Sequence, residues 1–429
     1  MSNSIGMRHG LAVLALLLAP ALAFGSGFAL FEHAARGVAL GGAFGATADD
    51  ATAGYYNPAG LAFQEGTKSA AGAYFITFDS KFTGDNPYPG VGYESKQESQ
   101  IFFPVHAHVT GGLTDRLRWG FSMTAPFGLG TWWPDDFAGK FISKRIDLKV
   151  FNLNPNLAFK VNDHLALAVG FDYFLSAVDL TKSIGVINPY TQQAAEVGQV
   201  HMFNSSDSGW GYNFGVLAKL GGGFSAGATY RSRVEVTYDA EASFTQFSTG
   251  NADFDQIVAL QIPFAENVPG ETRINFPAEM RVGLAWHGDA LGIEADVVKM
   301  GWDSFQNLPI VLEGYPLLSS VREENYEDCF TYRLGVEYRT SPTWSWLFGA
   351  LYDENPVPTA AVSPLLPDSN RTGISIGFSW DFSQNMRLDL GFLHLMFDER
   401  STEGLDHDNF NGTYKQTAEL LGLTVGYRF

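Results

Sequence analysis

Residues 371–382 read RTGISIGFSWDF and residues 420–429 read LLGLTVGYRF, and both segments alternate between two kinds of side chain. Isoleucine, leucine and aromatic residues take every second position, and small or polar residues lie between them. Side chains that change face at every residue are typical of a β-strand. A soluble sheet buries its apolar face, whereas a barrel in lipid turns that face outward.

The same alternation recurs in about fourteen segments, an even number, as a single-chain outer membrane barrel requires. The segments lie at 68–82, 97–113, 116–126, 146–161, 164–181, 208–220, 223–240, 273–287, 290–301, 326–340, 344–354, 371–382, 385–398 and 415–429. Short turns fall at Thr114-Asp115, Asn162-Asp163, Gly221-Gly222, Gly288-Asp289, Ser341-Pro342 and Ser383-Gln384. Long loops fall between them, at 83–96, 127–145, 182–207, 241–272, 302–325, 355–370 and 399–414. Because short and long connections alternate, we predict an all-β fold, a 14-stranded antiparallel transmembrane β-barrel over residues 67–429.

The composition argues against several classes of protein. Asp and Glu outnumber Lys and Arg by 46 to 27, so the net charge is −19 and no basic footprint for nucleic acid exists. The single cysteine, Cys329, excludes an internal disulfide and a cysteine-cluster metal site. No catalytic arrangement of serine, histidine and acid stands out, so we expect no enzyme, no metal and no cofactor.

Residues 1–23 have the pattern of a signal peptide. Arg8 and His9 precede a short apolar run, which leads into the small-x-small sequence Ala21-Leu22-Ala23. A membrane-anchoring helix is the alternative, but the run is too short to span a bilayer. No later stretch of about 18 apolar residues occurs, and a closed barrel is the other fold that pairs every backbone group in lipid. We therefore expect export to the outer membrane of a Gram-negative cell.

Residues 24–66 precede the first strand and do not alternate. They are rich in glycine and alanine, and they hold too many apolar and aromatic residues for a flexible periplasmic tail, which is the alternative. The lumen of a barrel of this size would be open without a filling segment. We predict that residues 24–66 plug the lumen.

Short motifs follow one another along the mature chain. They are SGF at 26–28, GA at 45–46, ADDA at 48–51, NPAGL at 57–61, APFGL at 125–129, NLNP at 152–155, YRSxV at 230–234, WxSF at 302–305 and PD at 367–368 with Arg371. In this order and spacing they resemble the FadL-type long-chain fatty acid transporters of the outer membrane, which include the toluene and xylene channels.

The resemblance implies that residues 24–66 are the family's hatch, with Asn57, Pro58 and Ala59 similar to its Asn-Pro-Ala turn. It implies passive uptake of long-chain fatty acids or related hydrophobic compounds, through capture by the outer loops, binding in the lumen and lateral exit through the wall. The expected partners are the substrate, outer membrane lipid, lipopolysaccharide and the barrel-assembly machinery, and the protein is expected to be a monomer.

Two groups of residues are candidate substrate contacts. An aromatic-rich group in the second long loop lines the capture groove or forms an aromatic belt at the membrane surface: Phe127, Leu129, Trp132, Trp133, Phe137 and Phe141. An inward basic group contacts a carboxylate or forms salt bridges with lumen acids: Arg231, Arg233, Arg281 and Arg333. No basic pair of the family can be matched to particular positions here, so a neutral hydrocarbon fits as well as a fatty acid.

Three positions are candidates for the lateral opening. Pro104 and Pro126 have no backbone N–H and so weaken the ladder of two early strands. Ala107 is a small residue of the wall, and a bulky side chain at this position is expected to block the opening. We expect the Asn57-Pro58-Ala59 turn to rest near this opening. The alternative functions are a hydrocarbon channel of the same family, a general diffusion porin, and a loop-mediated adhesin or receptor.

Overall fold

The computed structural model describes residues 27–204, 206–264 and 267–429, so the predicted signal peptide at residues 1–23 lies outside the described residues. The described strands are β1 Lys68–Gly84, β2 Glu94–Lys96, β3 Ile101–Phe102, β4 Val105–Gly112, β5 Leu117–Trp132, β6 Arg145–Lys160, β7 Leu165–Ile187, β8 Ala194–Phe203, β9 Asp207–Gly221, β10 Phe224–Arg231, β11 Val234–Gln246, β12 Asn267–Phe276, β13 Ala278–His287, β14 Leu291–Gly301, β15 Asn307–Leu312, β16 Ser320–Glu323, β17 Cys329–Ser341, β18 Trp344–Asp353, β19 Arg371–Asp381, β20 Met386–Phe397, β21 Arg400–Ser401 and β22 Gly412–Arg428. The described α-helices are α1 Ala35–Ala39, α2 Ala53–Tyr56 and α3 Ala252–Ala259, and 3₁₀ turns lie at Pro58–Phe63, Ala138–Phe141, Trp302–Ser304 and Thr359–Ala361. None of these helices is long and apolar enough to cross a membrane.

Fourteen strands pair in a closed antiparallel ring, which confirms the predicted barrel. Around the ring they follow the order β1, β4, β5, β6, β7, β9, β10, β13, β14, β17, β18, β19, β20 and β22. The ring closes between β22 and β1, which stay in register from Lys68↔Arg428 to Gly84↔Gly412. The predicted short turns all fall where consecutive strands of this ring meet, although Gly221 and Ser341 are the last residues of β9 and β17.

The apolar face of the barrel points outward. On β19, Ile374 and Ile376 are 55% and 47% exposed, whereas Ser375 and Ser379 are buried. The other ring strands also expose apolar residues, and their buried positions hold polar or small residues together with inward apolar ones such as Leu148 and Leu420. This is the sense expected of a barrel in lipid, and it is the reverse of a soluble sheet.

Five of the predicted long loops contain strands outside the fourteen of the ring, so the predicted bounds are wrong there. The loops predicted at 83–96 and 399–414 hold the short strands β2 and β21, and the other three hold more. The loop predicted at 182–207 is largely a hairpin of β7, which runs to Ile187, and β8. The loop predicted at 241–272 holds the end of β11, helix α3 and the start of β12, and the loop predicted at 302–325 holds β15 and β16. These strands pair above the ring in the order β7, β8, β11, β12, β15 and β16, and they enclose an apolar cluster of their own.

Residues 27–66, which we call the N-terminal segment, are mostly buried and bonded to inward-facing groups of the ring. The Ala35 N–H donates to Thr424 of β22 at 2.9 Å, and Ser375 of β19 donates to the Ala39 carbonyl at 2.9 Å. Further hydrogen bonds connect the segment with β4, β6, β9, β10, β13, β14 and β17. The segment therefore contacts strands around most of the ring.

Glycines in the strands leave room for this close approach. A Cβ atom on Gly391 of β20 would lie 2.3 Å from the Ala35 carbonyl oxygen, and one on Gly349 of β18 would lie 2.2 Å from the Gly41 nitrogen. Neither distance is compatible with a side chain, so both positions require glycine for packing against the N-terminal segment.

Candidate functional site

The barrel wall is broken between β4 and β5. Phe103 and Pro104 separate β3 from β4, and both β2 and β3 pair with β1. β4 pairs with β5 only as far as Ala107↔Met123. Just beyond that point β5 shifts register around Pro126. The two prolines that the sequence singles out therefore lie on the two sides of the break.

The N-terminal segment binds the edge of β5 that the break leaves free. The Leu30 N–H donates to the Pro126 carbonyl at 2.8 Å, and the Gly128 N–H donates to the Phe28 carbonyl at 3.1 Å. Ala29 forms an isolated β-bridge with Phe127 between these two bonds. Since lipid offers no partners to a strand edge, residues 28–30 supply the backbone bonds that β4 does not.

The prediction that Ala107 lies at the opening is wrong. Ala107 belongs to the intact ladder, in register with Ala71 on β1 and Met123 on β5. Its neighbours His106 and His108 are buried, so the side chain of Ala107 points to the outside of the barrel. A bulky residue at this position would therefore extend into the lipid and would not fill the break.

The Asn57-Pro58-Ala59 turn forms, but its predicted position near the opening is wrong. The Asn57 side chain accepts a hydrogen bond from the Ala59 N–H at 3.1 Å, which caps the 3₁₀ turn that begins at Pro58. The same side chain donates to the carbonyls of Gly45 at 2.7 Å and Val216 at 3.0 Å. Because Val216 is on β9, these bonds hold the turn against β9 rather than beside the break.

A cavity of about 260 Å³ lies beside residues 28–30. Its lining is mainly apolar and includes Ile76, Phe78, Phe102, Leu129, Leu395 and Leu420. Phe102 extends to the edge of β5, since a Cβ atom on Gly130 would lie 2.3 Å from its ring. Because Phe103 and Pro104 also line the cavity, the cavity reaches the break in the wall.

The six residues predicted to line one groove occupy different places. Phe127 and Leu129 line the cavity. Trp133 and Phe137 are buried away from it and stack on each other, with ring centroids 4.2 Å apart. Trp132 lies under the Arg145 guanidinium, and Phe141 packs beside Lys140. A single groove formed by all six is therefore wrong, because β5 continues to Trp132 and takes up the first six residues of the predicted loop.

Three of the four predicted arginines are buried against the N-terminal segment. Arg281 binds Asp296 at 3.0 Å and the Gly42 carbonyl at 2.7 Å. Arg333 donates to the Gly41 carbonyl at 2.7 Å. Arg231 pairs with the buried Asp172 of β7 and also donates to the Tyr55 carbonyl at 3.3 Å. These three arginines bind carboxylates and backbone carbonyls of the protein, which agrees with the alternative that they form salt bridges rather than a substrate contact.

The fourth predicted arginine, Arg233, is exposed, so its inward assignment is wrong. Ser232 and Arg233 lie between β10 and β11 and belong to neither strand. Ser232 is buried, and its backbone N–H donates to the Tyr212 carbonyl at 2.9 Å. The interruption changes the face on which the next side chain lies.

The charged end of the cavity contains residues that were not predicted as site residues, although the PD motif with Arg371 marked two of them. Arg371 binds Asp353 at 2.7 Å, and Asp368 accepts a hydrogen bond from the Gly27 N–H at 2.7 Å. Burial raises the pKa of Asp368, which lies in the loop before β19, to about 7, although Arg371 and the Gly27 N–H oppose the rise.

Comparison with known proteins assigns the chain to a family of outer membrane proteins. A family described as "Outer membrane protein transport protein (OMPP1/FadL/TodX)" matches residues 16–429. The chain belongs to this family. It is thus an outer membrane protein, as predicted.

Curated members of the family match over nearly their full length. The chain is 26% identical to a long-chain fatty acid transport protein of Escherichia coli, over 98% of each chain. It is 25% identical to a 47 kDa outer membrane protein of Pasteurella multocida, over 96% of this chain and 98% of the relative.

Two solved structures share the fold. A Pseudomonas aeruginosa FadL homologue superposes with a TM-score of 0.83 at 19% identity, over 94% of this chain and 100% of the other. The Pseudomonas putida toluene transporter TodX superposes with a TM-score of 0.70 at 18% identity, over 93% and 99%.

This family member shows no metal centre in the part of the chain that the structure describes, since no group of three His, Cys, Asp or Glu side chains could hold an ion there. The buried pair His106 and His108 bonds protein groups instead. His106 contacts the Thr424 hydroxyl at 2.9 Å, and His108 contacts the Ser122 hydroxyl at 2.9 Å and the His33 carbonyl at 3.1 Å.

Proposed function

We propose that the protein takes up long-chain fatty acids or related hydrophobic compounds passively across the outer membrane. The outer loops capture the substrate, the cavity binds it, and it leaves sideways through the break between β4 and β5. One observation carries this proposal: a mainly apolar cavity reaches a break in the wall, and residues 28–30 close that break.

The physics of an apolar chain favours this route. Each CH₂ group gains about 0.8 kcal/mol on leaving water. A chain bound in the cavity therefore moves into lipid through the break more readily than into an aqueous channel. In this scheme residues 24–66 are the hatch, and the strand-like stretch at residues 28–30 is the part that moves. The scheme includes no catalytic step and no cofactor.

A reversible cross-link tests the proposal. Ala29→Cys and Phe127→Cys place thiols on the two bridge partners, and antiparallel partners lie within the usual range for a disulfide. Cys329→Ser removes the natural thiol. In cells that depend on uptake of a labelled fatty acid, we expect oxidation to stop uptake and reduction to restore it.

The same variant before and after reduction is its own control, because the loss of the Phe127 ring is common to both states. Uptake that proceeds equally well with the disulfide intact would refute the lateral route. Heat-modifiable migration on a gel checks that the barrel has folded in both states.

A hydrocarbon channel is the second candidate, and the charges beside the cavity support it. Arg371 is already paired with Asp353, and Asp368 adds a second carboxyl group at the same end. A neutral hydrocarbon needs no free cation. Parallel uptake assays with a labelled alkylbenzene and a labelled fatty acid distinguish the two candidates.

The buried N-terminal segment argues against a general porin, whose lumen is a water-filled channel.

A further inference from the structure

Four neutral polar side chains lie at one level of the barrel, where the cavity ends below the outer loops. Ser80 on β1 is in register with Gln416 on β22. On the other side of β1, the Gln97 N–H donates to the Ser80 carbonyl at 2.9 Å. The next N–H, of Glu98, donates to the carbonyl of Trp132 at 2.9 Å, and Thr131 precedes Trp132 on this neighbouring stretch of β5. We call Ser80, Gln97, Thr131 and Gln416 the polar belt.

Each member of the polar belt is buried and has a polar atom without a hydrogen-bond partner. Their exposed fractions are 0%, 5%, 1% and 4% for Ser80, Gln97, Thr131 and Gln416. The unpartnered atoms are Ser80 Oγ, Gln97 Nε2, Thr131 Oγ1 and Gln416 Oε1. Buried polar atoms in native proteins nearly always have a partner. Gln416 and Thr131 line the cavity, so a molecule in the cavity can provide one.

The charges around the cavity do not suit an ionised headgroup. Two cations line the cavity within the described residues, and both are paired: Arg371 with Asp353 at 2.7 Å and Lys149 with Asp147 at 2.7 Å. Glu32 and Asp368 add further carboxyl groups to the lining. The Lys149 side chain is 63% exposed, so in the protein interior an anionic ligand would have to displace Asp353 from Arg371.

The polar belt continues into an apolar track that leads to the break. Below Ser80 and Gln416, the next inward-facing pair is Phe78 with Ala418, and the pair after it is Ile76 with Leu420. Ile76 is also in register with Phe102, which lies at the break. A molecule with a polar group at the belt would therefore extend its apolar chain towards the wall opening.

We propose that the cavity binds an apolar chain that carries a neutral O–H group, either an alcohol or an undissociated carboxylic acid, with that group at the polar belt. The O–H donates to Gln416 Oε1, and its oxygen can accept from Thr131. Gln416 and Thr131 are therefore specificity-determining residues. This proposal rests on the proposed function, since it names the ligand class of the same cavity.

Equilibrium binding to the purified full-length protein in nanodiscs tests the proposal. The probes are a radiolabelled n-alkyl alcohol, the alkane and the alkyl carboxylate of equal chain length, at a pH well above the pKa of the free acid. We expect the alcohol to bind tightest. Gln416→Leu should reduce the advantage of the alcohol over the alkane by about threefold to tenfold, the value of one net hydrogen bond. Thr131→Val should act in the same direction.

The ratio of alcohol to alkane affinity separates recognition from folding, because a folding defect weakens both ligands together. Thr417→Val removes a polar side chain from the outward face of the same strand, and it should leave the ratio unchanged. A ratio unchanged in both belt variants, or a carboxylate that binds tightest and is most weakened by Gln416→Leu, would overturn the neutral-headgroup proposal alone. If none of the three probes binds the wild type, the proposed function fails as well.

Discussion

Removing the Asp296 carboxylate should release the N-terminal segment and make the barrel leak. Asp296 accepts hydrogen bonds from the N–H groups of Phe44 at 3.2 Å and Gly45 at 3.0 Å, and it pairs with Arg281 at 3.0 Å. Asp296→Ala removes these bonds and leaves Arg281 buried with one carboxylate fewer. Breaking a buried pair in this way costs about 3–5 kcal/mol. If this energy is lost from the closed state, the open fraction rises by about two to four orders of magnitude.

Planar-bilayer recordings measure this release. We expect the wild type to show no large, steady conductance and Asp296→Ala to show frequent openings. Asp389→Ala is the matched control, because Asp389 is an equally buried inward carboxylate whose partners, Ser379 at 2.5 Å and Arg387 at 2.7 Å, are both on the wall. If the two variants fold and conduct alike, or if Asp296→Ala stays closed, the carboxylate does not hold the segment in place.

Three further predictions follow from the positions of single residues and of the segment. Ala107→Leu should leave fatty acid uptake unchanged, because Ala107 faces outward, whereas Gly130→Leu should impair uptake, because its side chain would displace the Phe102 ring at the break; equal uptake by the two variants would contradict this. Deleting residues 27–66 should give a barrel that admits small polar solutes, measurable as sensitivity to a large hydrophilic antibiotic, and an unchanged sensitivity would argue against a plug. Asp368→Asn should flatten the pH dependence of thermal unfolding. The wild type holds a proton on Asp368 that its unfolded chain releases, so the unfolding free energy should fall as the pH rises from about 4, the ordinary pKa, to about 7 in the folded protein; parallel curves for the two proteins would show that Asp368 does not titrate there.

The sequence predicts the ring well because lipid imposes a strict pattern on it. On β19 every second residue must be apolar on the outside, and the inward positions are small or polar, so the period is visible without a structure. The hairpin of β7 and β8 was predicted as a loop at 182–207 because it lies above the ring. Its strands are joined by an exposed turn, and the polar residues of that turn at 191–193 interrupt the pattern.

The site was harder to predict because backbone bonds and interruptions leave little trace in the sequence. Residues 28–30 bind β5 through main-chain groups, which any residue except proline provides. Counting alternate positions places Arg233 on the inside of the barrel. The alternation breaks at Ser232 and Arg233, which lie between β10 and β11, so the count gives the wrong face. The APFGL and PD motifs did mark Phe127 and Asp368, which the fold brings together around the start of the N-terminal segment.

The N-terminal segment is held more tightly at its middle than at its start, and this difference decides which part opens the wall. The four N–H groups of residues 44–47 all donate to Glu294 or Asp296, and the two bonds to Asp296, the carboxylate paired with Arg281, are bonds to a charged group, which contribute about 1.5–3 kcal/mol each. Residues 28–30 make two neutral backbone bonds with β5, which contribute about 0.5–1.5 kcal/mol each. A ligand can shift an equilibrium only by its differential affinity for the two states, and a chain in the cavity touches residues 28–30 directly. We therefore expect ligand binding to detach the start of the segment while the middle stays bound, so that the substrate leaves sideways and the lumen remains closed to water.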